Sequence, residues 1–249
     1  MTTLAVLCDP PRDGLVLPDL PETSPLSISE VTDLYAAMLK DVCSAVEASG
    51  GDLLVNYRPE DSLPATETEE TAQAEVRAVV REALSDPDSA RFERQVGETF
   101  AGRAGNTATH LLEEEGVGSV AIVPPTAPLL SRQHIDTAAM KLRRYSVVLG
   151  PSTGGRVYYA GFKATIDYAD AYTSPAIETL TDRALDAGHE VDFLAMQPVV
   201  ETGDDLGDVL ALIRARQRAG RNVPEHTTAF LDGSGLIVTG DEGEPTLTR

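Results

Sequence analysis

The chain has 249 residues, of which 42% are hydrophobic, and a formal net charge of -20. That length suits one large α/β domain or two small ones. No apolar run approaches the roughly 20 residues that a membrane helix needs, and no basic patch offers itself to a nucleic-acid backbone, so a membrane span and a nucleic-acid partner are not expected. Lysine occurs only as Lys40, Lys141 and Lys163. Acid excess with few lysines and few aromatics matches the proteins of extreme halophiles, where a Debye length of roughly 3 Å at 1 M salt makes self-repulsion tolerable. The acidity then reports the solvent, and a cytoplasmic protein is expected. Cys8 and Cys43 lie far apart in sequence with no CxxC spacing, which suits two buried thiols better than zinc or a redox pair.

Residues 3–8 form a short apolar run fit for a buried strand, and no basic region precedes it as a signal peptide would require. The stretch "DPPRDGLVLPDLPETSPLS" is rich in Pro, Asp and Gly and predicts an irregular loop. A helix is expected over 29–48, where Leu34, Met38, Val42 and Val46 recur at helical spacing, with Ser29 as its cap and Gly50 and Gly51 as its stop. A strand follows at 52–57, then an acidic loop. A helix over 70–84 carries the stripe Ala72, Val76, Val79 and Ala83. Further helices are expected at 99–115, 131–142, 174–187 and 204–218, and strands at 118–123, 146–149, 156–160 and 191–194. The last of those helices opens on Thr202 as cap, with Asp204 and Asp205 in its first turn. The tail beyond 221 predicts a hairpin around "DGSG" and a polar end. This alternation implies a mostly parallel sheet with helices on its faces.

The segment "IVPPTAPLLSRQH", residues 122–134, joins a strand end to a helix start, the usual place for a ligand in an α/β protein. It offers proline, threonine and alanine where a phosphate or metal loop offers Gly, Asp, Lys or Ser. His134 stands next to it, either as a general base or as a residue of the helix surface. "GPSTGGR", residues 150–156, is either an anion-binding Gly-rich turn or a tight strand connection.

Three segments in order resemble the small glycosyltransferase-like family of the nucleotide-diphospho-sugar transferase superfamily, relatives of the phospholactate guanylyltransferases. In "DGLVLPDLPETSPLSISEVTDLYAAMLKD", Gly14, Leu20, Leu34, Tyr35 and Asp41 fit the family's pattern, while its phosphate-handling lysine and arginine fall on Leu17 and Asp19. In the proline loop, Pro128, Leu130 and Ser131 fit, and the metal-binding aspartate falls on Thr126. In "VVLGPSTGGRVYYAG", Gly150, Pro151, Gly155, Tyr158 and Gly161 fit, the family's aspartate falls on Gly154, and Arg156 adds a cation. Further on, Glu201, Thr202, Asp205 and Leu206 resemble a fourth segment, and Arg103 falls near a family Gly-Glu-Arg.

The resemblance covers about 3–216. It implies a three-layer α/β/α sandwich of the glycosyltransferase-A type over 1–220, with 221–249 packed on the same domain. It implies transfer of a sugar or nucleotidyl group from a nucleotide or nucleotide-sugar, with Mg²⁺ or Mn²⁺ on the diphosphate. Gly14, Arg103, Thr126, Gly154, Gly155 and Arg156 are the expected nucleotide or anion contacts, and Glu201 and Asp9 the expected metal ligands. Leu17, Asp19, Thr126 and Gly154 together remove two cations and two carboxylates. The alternative is a non-catalytic binding or regulatory module that takes an anion or a protein partner. An active enzyme would need carboxylates such as Asp9, Asp13 and Glu201 to converge.

Overall fold

The computed structural model describes residues 2–65, 70–240 and 246–249. Strand β1 (Thr2–Cys8) sends Leu4, Val6 and Cys8 to one apolar layer and Ala5 and Leu7 to the other, the two-residue period of a strand buried on both faces. Helices α1 (Leu20–Thr23) and α2 (Ile28–Ser49) follow. The cap of α2 is Ser27, not Ser29, because only Ser27 has a glutamate three residues on. Ser27 Oγ accepts from Glu30 N at 3.3 Å and Glu30 Oε2 accepts from Ser27 N at 2.8 Å. Gly50 ends the helix in the left-handed conformation.

The chain continues through β2 (Asp52–Tyr57), α3 (Ala72–Arg81), β3 (Arg91–Arg94), α4 (Phe100–Thr109) with a π-turn after it, β4 (Ser119–Val123) and α5 (Arg132–Leu142). Then come β5 (Val147–Pro151), β6 (Val157–Phe162), α6 (Ala176–Asp186), β7 (Val191–Phe193), α7 (Gly203–Arg218), α8 (Glu225–Ser234), β8 (Ile237–Thr239) and β9 (Thr246–Thr248). The main sheet has the order β3-β2-β1-β4-β6-β5-β7, parallel except for β6. Helices α2, α3 and α5 cover one face, and α4 and α6 the other. A third apolar cluster joins α2, α7 and α8 to the loop after β1 through Leu17, Leu20, Leu34, Leu206 and Leu231. Full burial of one such leucine contributes about 2 kcal/mol.

Three elements differ from expectation. The short helix α1 (Leu20–Thr23) forms inside the stretch expected to be irregular, with Leu20 buried. Strand β3, "RFER", has one apolar residue and was not expected. It is an edge strand, and the Arg91 ion pairs with Glu93 and Glu115 carry its surface. The expected hairpin around "DGSG" is instead the last turn of α8, whose Thr227, Thr228 and Leu231 are buried against the domain. The strand pair comes later, Ile237 facing Thr248. Part of the expected polar end, 241–245, lies outside the described residues.

Candidate functional site

Strand order places the crevice. The chain runs from β1 outward to β2 and β3, then returns to lay β4 on the other side of β1. A ligand crevice of an open α/β sheet forms at such a switch point, outside the carboxyl ends of the strands. Along that rim stand Gln95 beyond β3, Arg58 beyond β2, Asp9 beyond β1, Thr126 beyond β4, Arg156 ahead of the antiparallel β6, and Thr153 beyond β5.

On the β1–β2 side, the backbone of Asp9 is held by the buried Tyr35. Asp9 N donates to Tyr35 Oη at 2.9 Å, and Tyr35 Oη donates to Asp9 O at 3.3 Å. Gln95 Nε2 donates to Cys8 O at 3.0 Å and to Asn56 O at 2.6 Å, closing the strand ends with a neutral side chain. The Asp9 carboxylate lies 3.8 Å from Arg58 Nη1. Burial raises its pKa against the pull of Arg58 and Arg103. Burial likewise lowers the pKa of Arg103, with Asp9 and Arg58 both in electrostatic range. Arg58 Nη2 donates to Ser62 O at 2.7 Å and Arg103 Nη1 to Glu98 O at 2.9 Å, yet the Nε of each arginine is buried with no partner among the described residues. Two partly desolvated guanidinium groups facing one carboxylate leave positive charge that an anion can neutralise.

The β4–β6 side is different. The connection from β5 to β6 is a tight turn: Ser152 N donates to Arg156 O at 2.8 Å. Gly155 in it has φ +73°, and a Cβ there would meet Pro175 Cβ at 2.5 Å. The turn folds Arg156 back, so that its Nε donates to Thr153 O at 2.9 Å and its two terminal nitrogens grip Asp205. Nη1 also lies 3.1 Å from Glu201 Oε2. Asp205 is the third residue of α7, whose cap is Thr202, and it receives Glu201 N at 3.2 Å, Thr202 N at 3.0 Å and Thr202 Oγ1 at 2.9 Å. Burial pushes the Asp205 carboxyl up, and the hydrogen bonds from Arg156 and Thr202 more than reverse it, so its pKa is lowered. Val200 N donates to Thr126 O at 2.8 Å and Val199 N to Ser152 Oγ at 3.1 Å, which pins this segment across the rim.

The expected contacts thus divide into two groups. Asp9 and Arg103 come together, joined by Arg58, which sequence reasoning passed over although it directly follows a strand end. Thr126, Arg156 and Glu201 gather on the other side, with Gly154 and Gly155 in the turn. Gly14 lies in the loop after β1, which Arg12 ties down through Glu60 at 2.8 Å and Glu75 at 2.8 Å. Leu17 is buried in the third apolar cluster, and Asp19 precedes the short α1. His134 serves α5: its Nδ1 accepts from Ser131 N at 3.2 Å, and burial with Arg216 nearby lowers its pKa.

Asp9, Asp13 and Glu201 do not converge. Asp13 accepts from Thr32 Oγ1 at 2.7 Å, and Asp9 and Glu201 face different arginines. Among the described residues no three His, Cys, Asp or Glu side chains are grouped to hold a metal ion. A divalent cation needs free carboxylate oxygens, and both oxygens of Asp205 are already engaged by N–H and O–H donors. The residues present do not fit the metal that the resemblance implies.

This topology is that of the nucleotide-diphospho-sugar transferases. A protein assigned to that class from Desulfovibrio desulfuricans G20 superposes with a TM-score of 0.74 at 19% identity, covering 94% of this chain and 94% of that one. A cytidylyltransferase from Leptospira borgpetersenii gives a TM-score of 0.52 at 9% identity over 94% of each chain. CMP:2-keto-3-deoxy-manno-octonic acid synthetase, solved with CTP, gives 0.50 at 13% identity over 86% of this chain and 99% of its own. No protein-family model and no curated protein sequence matches the chain. No helix among the described residues is long and apolar enough to cross a membrane.

Proposed function

We propose that the chain binds a nucleotide or nucleotide-sugar at the β1–β4 crevice and belongs functionally with the glycosyl and nucleotidyl transferases. The observation that carries this reading is the Arg58–Arg103 pair, each with a buried Nε that has no partner among the described residues and each acting on Asp9 at the switch point of a nucleotide-transferase fold. In a transfer reaction these two arginines would hold the phosphates and offset the charge that develops on the leaving phosphate. Thr126 and the Gly154–Gly155 turn would border the rest of the ligand.

A second reading, a non-catalytic module that binds the same anions without turnover, is favoured by Leu17. The residue that the resemblance aligns with a phosphate-handling lysine is packed among Leu20, Leu34 and Leu206. Calorimetric titration of nucleoside triphosphates and nucleotide-sugars in molar KCl tests binding, and product analysis with the nucleotides that bind separates the two readings. Micromolar binding lost in Arg103→Met supports the site. No binding across the panel overturns it.

A further inference from the structure

We propose that Arg156 is a built-in cation that occupies the carboxylates of Glu201 and Asp205, so that this crevice takes its anionic ligand without a divalent metal. The inference rests on the nucleotide-site reading for its ligand, but its own subject is the ion balance at the β4–β6 side. One guanidinium faces two carboxylates there, at 3.1 Å from Glu201 and 2.9 Å from Asp205 Oδ2. Arg156 bonds both oxygens of Asp205, the two-point geometry that suits a planar guanidinium and a carboxylate. A metal entering here would have to displace Arg156 and also break the cap of α7, because Thr202 N and Thr202 Oγ1 bond the same Asp205 oxygen.

The turn geometry holds the cation in place. Arg156 Nε is fixed on Thr153 O and Nη2 on Thr153 Oγ1, each at 2.9 Å, and Nη1 on Asp205, so all three guanidinium nitrogens have defined partners before any ligand arrives. On the other side of the crevice Asp9 faces Arg58 and Arg103, and among the described residues no three His, Cys, Asp or Glu side chains are grouped there to hold a metal ion either.

The test is Mn²⁺ binding followed by electron paramagnetic resonance on the full chain in molar KCl without nucleotide, alongside pyrophosphate titration in EDTA. Wild type should leave the Mn²⁺ signal that of the free ion and should bind pyrophosphate in EDTA. Arg156→Met, which frees Glu201 and Asp205 Oδ1 while the α7 cap keeps Oδ2, should bind Mn²⁺ at least tenfold more tightly than wild type, and Arg156→Lys should not. Tight Mn²⁺ binding by wild type, or pyrophosphate binding that appears only with Mn²⁺, overturns the proposal. That first outcome needs no variant, so a poorly folded Arg156→Met does not rescue it. If no nucleotide and no pyrophosphate binds while the Mn²⁺ results hold, the nucleotide-site reading falls and the role of Arg156 as the resident cation stands.

Discussion

The two sides of the crevice carry similar residues and use them in opposite ways. Arg156 is satisfied on every side, by Thr153, Asp205 and Glu201, while Arg58 and Arg103 each keep a buried Nε with no partner among the described residues. The first arrangement shapes the fold. The second is the one proposed for a ligand, because a partly desolvated cation gains most when an anion completes its hydrogen bonds. Arginine content alone does not separate these roles: Arg58 follows β2, Arg156 precedes β6, and Arg103 stands in the first turn of α4.

Substitution should break this contrast cleanly. Arg156→Met should destabilise the protein by about 2 kcal/mol, because Asp205 is left charged and nearly buried without its counter-ion. Arg58→Met should cost well under about 1 kcal/mol, as its contact with Asp9 at 3.8 Å is loose. Chemical denaturation of both variants checks the difference, and equal losses would erase the distinction between the two sides. The next effect is on binding: Arg58→Met and Arg103→Met should each weaken pyrophosphate affinity at least about tenfold, worth about 1.4 kcal/mol, with melting temperature little changed. Arg132→Met, on the exposed surface of α5, should leave affinity unchanged.

A pH series sharpens the picture at the proline loop. His134 accepts the Ser131 N–H on Nδ1, which it can do only unprotonated, and its pKa is lowered in the fold from the ordinary 6.5. Its stabilising contribution is therefore complete above that unfolded value and is lost as pH falls below it. Melting temperature should drop on going from pH 7.5 to 5.5, and His134→Gln should keep the cap while flattening that slope. The smallest expected effect is at Asp9. Asp9→Asn removes the anion that competes for Arg58 and Arg103, and pyrophosphate should bind a few-fold more tightly, roughly 0.5–1 kcal/mol, in the same calorimetric titration.

Much of this molecule was written locally. Periodicity located α2 and α3, and alternation with buried strands implied a mostly parallel sheet, because apolar spacing at 3.6 or 2 residues is a property of neighbouring positions. The cap of α7 was legible for the same reason: Thr202 and Asp205 are three residues apart. The cap of α2 was misplaced by two residues because two serines compete and only the glutamate partner decides between them. Strand β3 could not be read, since its stability comes from pairing with β2 at the sheet edge and from the ion pair to Glu115, both supplied by distant chain. The tail was misread because "DGSG" has turn residues whose conformation is set by packing of α8 against α2.

For the site, the sequence determined that the crevice-forming loops lack a lysine, an arginine and two carboxylates at the positions the resemblance offers, and that Arg103 and Arg156 are present there. It could not determine which cation is free. That depends on Arg156 meeting Glu201 and Asp205 across 45 and 49 residues of chain, and on Arg58 and Arg103 meeting Asp9 instead. Charge pairing at a few ångströms is set by the tertiary fold, because the strand order brings the ends of β1, β2, β4 and β6 to one rim and their spacing in the sequence carries no trace of it.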